Sequence, residues 1–120
     1  MNDFREWLKA LTPGYTHWVG DWIDNKAASG QFFCAVRAEG GARPVVDDRR
    51  RRYSVVLLGR RDERGDAEKL LADAEGIMLA AIDGPYPCGI ANIRANGEPV
   101  GPSATTENRA WVKLSFEVTT

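Results

Sequence analysis

The run "YSVVLLG", residues 53 to 59, is apolar on both of the faces that a β-strand would present. Such a strand must be covered on two sides, which puts it in the middle of a sheet and away from its edges. Charge crowds both of its ends. Residues 47 to 66 read "DDRRRRYSVVLLGRRDERGD", with seven arginines and five carboxylates around the apolar run. Any fold for this chain has to bury the run while keeping those charges wet or paired.

The other elements follow from spacing. Phe4, Trp7, Leu8 and Leu11 recur at helical intervals, and Asn2 or Asp3 can cap the first turn. "TPG" at 12 to 14 stops that helix. "YTHWVGDWI" has the aromatic and β-branched content of a strand, "DNKAASG" is a polar turn, and "QFFCAVRA" (31 to 38) reads as a second strand. "EGGARP" is a flexible connection, and "PVVDD" is left open as a short strand. The long helix runs from about Asp66 to Ile82, with Ala67, Leu70, Leu71, Ala74, Ile77, Met78, Ala81 and Ile82 in one stripe. Carboxylates at Asp62 to Asp66 suit the positive end of its dipole, and "DGPYP" ends it. "CGIANIRA" suggests a strand, whereas "NGEPVGPSATTENR" reads as turns. In "AWVKLSFEV" Ala110, Val112, Leu114, Phe116 and Val118 alternate with Trp111, Lys113, Ser115 and Glu117, as in a half-buried antiparallel strand. The expectation is an α+β fold: a single mixed, mostly antiparallel sheet, with an N-terminal helix and one long helix packed on one face. A length of 120 residues suits one domain, residues 1 to 120.

Composition narrows the function classes. The chain is 43% hydrophobic and 28% charged with a formal net charge of −1, which suits a folded domain and not a dedicated nucleic-acid binder. No apolar run is long enough for a transmembrane helix, and "MNDFREWLKAL" lacks the pattern of a signal peptide, so no membrane association is expected. His17, the only histidine, sits between Thr16 and Trp18 and reads as structural, since a catalytic triad needs a nucleophile and an orienting group beside it. One histidine with Cys34 and Cys88 does not make a zinc pattern, and the two cysteines read as separate, unjoined thiols. "GGARP" lacks the spacing of a phosphate loop. No catalytic residue, cofactor or metal is therefore expected, and a small enzyme using His17 is the weakest reading.

The arginines admit two compatible readings. Arg49, Arg50, Arg51 and Arg52 precede the buried run, and Arg60 and Arg61 follow it with Asp62 and Glu63. As solvated strand ends, they would discourage edge-to-edge aggregation. As a candidate interface, these eight residues would pair guanidinium with carboxylate across a subunit contact. Seven arginines against five carboxylates leave the segment two charges positive, so direct DNA binding through Arg49 to Arg52 is kept only as an alternative. Four tryptophans are more than so small a core needs, and some of them suit an interface.

The order of "RRYSVVLLGRRD", "DAEKLLADAEGIMLAAI", "GPYP" and the closing "RAWVKLSFEVTT" resembles the phage tail terminator family and the related minor tail, tail-completion and minor capsid proteins. The resemblance is strongest over residues 50 to 120. It implies a homo-oligomer, a hexameric ring, that caps the tail tube, terminates its polymerisation and offers a head-joining surface. The implied partners are the tail tube protein and a head-completion or connector protein. The implied location is the head-proximal end of the virion tail, after a period in the host cytoplasm. No catalytic site comes with the resemblance.

Overall fold

The computed structural model describes residues 2–20, 30–38, 50–63, 65–86, 90–95, 97–105 and 108–119. The doubly apolar run lies inside β3 (Arg50–Arg61), which is flanked by antiparallel neighbours on both edges, β2 (Phe33–Ala38) and β6 (Arg109–Thr119). On the far side of β2, β1 (Thr16–Val19) runs parallel to it. On the far side of β6 two short strands share one edge. β4 (Asn92–Ala95) pairs with its C-terminal half and β5 (Val100–Ala104) with its N-terminal half. The result is one six-stranded mixed sheet, with α1 (Asn2–Leu11) and α2 (Asp66–Asp83) packed on one face, an α+β fold.

Register explains which side chains meet the helices. Cys34, Leu57 and Val112 lie in one cross-strand row, Val36, Val55 and Leu114 in the next, and Tyr53 with Phe116 in a third. All are buried. Directly opposed residues on neighbouring strands share a face, so alternation along β6 selects one side for Ala110 to Val118. α1 lays Phe4 flat on Tyr53, with centroids 4.8 Å apart, and sets Trp7 edge-on to Phe116 at 6.2 Å. α2 contributes Leu70, Ala74, Ile77 and Ala81 to the same core.

The helices end where local chemistry stops them. The Thr12 hydroxyl donates to the Leu8 carbonyl at 2.8 Å, closing α1 just before Pro13. Gly84, at φ 65°, turns the chain out of α2 while its N–H reaches the Ala80 carbonyl at 2.9 Å, and the Tyr86 hydroxyl donates to the Ala81 carbonyl.

Several expectations need correction. Ile82 is not in the core stripe. It is 74% exposed, and neighbouring Leu79 is 59% exposed. A helix 18 residues long has room for apolar residues on its outer face, and periodicity alone does not mark them as outer. Leu11 likewise lies at the margin of the core, partly exposed. The stretch read as turns contains β5, with Gly101 and Pro102 inside it. An outer strand tolerates both, and its ladder shifts register between Val100 and Ser103. The carbonyl of Trp111 would lie 2.8 Å from a Cβ at residue 101, so only glycine fits there. β1 stops at Val19, short of the predicted strand end. "DNKAASG" except Gly30, all of "EGGARP", "PVVDD", Trp22 and Cys88 lie outside the described residues.

Replacing Phe116 by alanine removes a fully buried ring and is expected to cost about 3–5 kcal/mol. Leu79→Ala, on the outer face of α2, is expected to cost less than about 1 kcal/mol. Urea denaturation of the two variants measures the difference, and equal losses would refute the assignment of faces.

Candidate functional site

The described candidate residues do not form one patch. β3 carries its arginines at opposite ends, and Arg52 and Arg60 are about 26 Å apart along the strand at ~3.3 Å per residue. At the first end Arg49 lies outside the described residues, and Arg50 opens the strand. Arg51 and Arg52 are exposed. Arg52 faces Glu117 directly across the β3–β6 ladder, with Nε 3.6 Å from the carboxylate. An ion pair so exposed contributes at most about 1 kcal/mol.

The second end is built into the fold. Asp66, the first residue of α2, is buried and takes the Arg60 guanidinium on both oxygens, with Nε at 3.1 Å and Nη2 at 2.9 Å. The backbone N–H of Arg60 adds a third bond at 2.9 Å. The guanidinium fork, together with that N–H, holds the Asp66 carboxyl below the usual carboxylate range even though burial pushes the other way. Gly59 permits this geometry: a Cβ there would lie 2.8 Å from that of Asp66. The β3–β6 ladder shifts register between Leu58 and Arg61, where this close approach occurs. Asp62 turns the chain with a positive φ of 59° and accepts from the Asn108 side chain at 2.9 Å. Arg61 is half-buried opposite Arg109, and Glu63 is exposed, its backbone carbonyl accepting the Asp66 N–H at 3.0 Å.

Sequence reasoning missed Arg109. It is fully buried, donates to the carbonyls of Gln31 (2.9 Å) and Gly59 (2.8 Å), and lies over the Phe33 ring at 5.3 Å. The signal was present in its parity. Arg109 alternates with Ala110 and therefore belongs to the face of Trp111, where a second apolar cluster of Phe33, Ala35 and Leu58 gathers. A third cluster ties α2 to the loop after α1. The Tyr15 hydroxyl donates to Asp73 at 2.6 Å, and Lys69 pairs with Asp73 at 2.6 Å while lying over the rings of Tyr15 and Phe32. Burial and the Asp73 carboxylate both push the Tyr15 hydroxyl upward in pKa.

His17 bonds through Nε2 to the Thr12 hydroxyl at 2.7 Å. That hydroxyl already donates to Leu8, so His17 is the donor, and it ties β1 to the end of α1. Burial, with Lys9 and Arg5 nearby, lowers its pKa. Cys34 is a buried free thiol, and burial pushes it up to about 12. Among the described residues no three histidine, cysteine or carboxylate side chains cluster as a metal site would, and no helix is long and apolar enough to cross a membrane.

The described geometry is that of an α+β structural domain whose polar bonds lock elements together. The family model described as phage tail termination protein matches residues 1–120, and the chain belongs to that family. Membership gives it a structural role in completing a phage tail and places it in the virion tail. No curated protein matches the chain. One solved structure shares the fold, with a TM-score of 0.50 and 18% identity over 99% of this chain and 89% of that one.

The lowered pKa of His17 sets a pH dependence. The unfolded chain takes up a proton on this histidine as pH falls through about 6.5, and the folded chain resists it, so stability drops below that pH. His17→Gln is expected to remove part of the loss between pH 7 and 5, measured as the shift in denaturation midpoint. An identical pH profile in the variant would contradict the placement.

Proposed function

We propose that the chain is the ring-forming subunit of a tail terminator: copies assemble, six to a ring, on the finished tail tube. The ring stops tube polymerisation and offers its outer surface to a head-completion or connector protein. The observation that carries this reading is the family match over the whole chain. A domain built from interlocked structural bonds, with balanced charge overall, is consistent with it. Before assembly the subunit resides in the host cytoplasm, and afterwards at the head-proximal end of the tail.

Within this reading the two ends of β3 divide the work. Arg60 and Asp62 hold the fold, so their contribution to a contact is secondary. Arg51 and Arg52 are exposed at the other end of β3, and the run Arg49 to Arg52 is proposed to face a neighbouring subunit or the ring lumen. Contacts between copies in a ring join unlike patches, so a cationic end on each copy can meet a carboxylate-bearing surface on the next.

Replacing Arg49 to Arg52 with serine is expected to shift the thermal midpoint by less than about 5 °C, since the ion pair described there, Arg52 with Glu117, is exposed. Sedimentation at moderate salt is expected to show a smaller fraction of rings, and tails assembled with the variant to be poorly completed. A variant that unfolds would make the arginines structural, and one that completes tails normally would leave them as solvated strand ends. Duplex DNA binding by the unmodified protein, steeply salt-dependent and lost in the variant, would favour the DNA alternative.

A further inference from the structure

A different helix stands beside each edge of the sheet, and the two edges carry unlike charge. β1 forms one edge and β4 the other, with β2, β3 and β6 between them, about 19 Å across at ~4.8 Å per strand. At the first edge the end of α1 is tied to β1 by the bond between Thr12 and His17. Burial lowers the His17 pKa, and the positive charges of Lys9 and Arg5 add to it, which places both side chains beside β1. Glu6 is the third charged group there, so two cations and one carboxylate leave this edge one charge positive. Among the described residues neither Arg5 nor Lys9 has an ion pair or a side-chain hydrogen bond. Val19, two residues beyond His17 on the same face of β1, is 45% exposed.

At the second edge an open groove of about 460 Å³ lies between α2 and β4. Met78 and Ile82 line it from the helix and Ile93 from the strand. Ile82 is 74% exposed, and Leu79 beside it is 59% exposed. Glu75 comes three residues before Met78 and seven before Ile82, and Glu68 comes seven before Glu75. Helical spacing therefore sets both carboxylates on the groove side of α2. Both are exposed, and among the described residues neither has an ion pair or a side-chain hydrogen bond. Lys69, the lysine of this helix, is held by Asp73 and the rings of Tyr15 and Phe32. Arg94 also lines the groove, but it alternates with Ile93 and so belongs to the opposite face of the sheet. On the helix-bearing face this edge is acidic and aliphatic.

We propose that the α1–β1 edge of one copy docks on the α2–β4 edge of the next, so that helix meets helix and sheet edge meets sheet edge. The proposal rests on the ring reading above and names its contact. Arg5 and Lys9, one helical turn or about 6 Å apart, then face Glu75, with Glu68 about 10 Å further along α2, at 1.5 Å per residue. Val19 meets Leu79 and Ile82 at the mouth of the groove. Charge selects this unlike pair. Two α1–β1 edges would set Arg5 and Lys9 against their own copies, and two α2–β4 edges would set Glu68 and Glu75 against theirs. Like charges brought together in this way disfavour both symmetric contacts. Position agrees with charge, because the two surfaces lie at opposite edges of one sheet. Each copy can therefore hold a neighbour on either side, and a contact between unlike patches repeats until the ring closes.

The test reverses the charge of each edge in the full chain: Arg5→Glu with Lys9→Glu, and Glu68→Lys with Glu75→Lys. Sedimentation equilibrium of each variant at low salt is expected to show association weakened at least about tenfold, with melting temperatures near that of the unmodified protein. All four substitutions in one chain are expected to restore association, because each edge again meets its opposite. If the α1 variant melts well below the unmodified protein, Lys9→Glu alone, at an exposed position, takes its place in both chains. Singly reversed chains that associate at the unmodified strength overturn the proposal, as does a combined chain that regains nothing. A chain with Glu68→Lys and Glu75→Lys that still forms rings but no longer holds tail tube protein gives this edge to the tube protein and also overturns it. If the unmodified protein stays monomeric even with tube protein, the ring reading itself falls, and this contact with it.

Discussion

The antiparallel ladder between β3 and β6 is the constraint on which the rest of the structure depends. These are the two longest strands, paired from Arg50 with Thr119 to Arg61 with Arg109. β2, β4 and β5 pair with one of them, β1 attaches through β2, and both helices pack across their row of buried side chains. Because both strands have neighbours on both edges, each must satisfy its alternation on two faces at once. A one-residue slip would drive Tyr53, Val55 and Leu57 out of the helix-covered core and send Ser54 and Val56 into it.

The ladder is locked at the end where it becomes irregular. Gly59 lets the first turn of α2 approach closely enough for Asp66 to take the Arg60 guanidinium and the Arg60 N–H together. Arg109 fixes the same end from the other face by holding the Gly59 carbonyl. A buried guanidinium left without its carbonyl partners, or carbonyls left without their donor, would cost several kcal/mol, a large part of what keeps a domain of this size folded. At the opposite end Arg51 and Arg52 are exposed, and Arg52 pairs with Glu117 in an exposed ion pair.

How much of this was legible in the sequence varied with the range of the interaction. β6 and α2 showed themselves through period-2 and period-3.6 patterns, which local chain geometry imposes directly, and the central place of β3 followed from its two apolar faces. β5 was hidden because Gly101 and Pro102 signal turns, and only its outer position against β6 lets them sit in a strand. Ile82 was read as core because periodicity finds apolar residues without revealing which neighbour covers them. The role of Asp66 was half legible. Its place at the start of α2 was expected, but its fork to Arg60 depends on a glycine seven residues earlier and on tertiary approach. The eight candidate residues looked like one cluster in sequence, and the length of β3 separates the described ones into two ends.

The β3–β6 ladder, then, is locked at its Gly59 end, by Asp66 on one face and Arg109 on the other. Urea denaturation of Asp66→Ala and Arg52→Ala beside the unmodified protein tests this lock. The predicted loss is at least about 2 kcal/mol for Asp66→Ala, which removes the acceptor of the Arg60 fork and of the Arg60 N–H, and at most about 1 kcal/mol for Arg52→Ala, which removes an exposed ion pair. Equal losses in the two variants would contradict it.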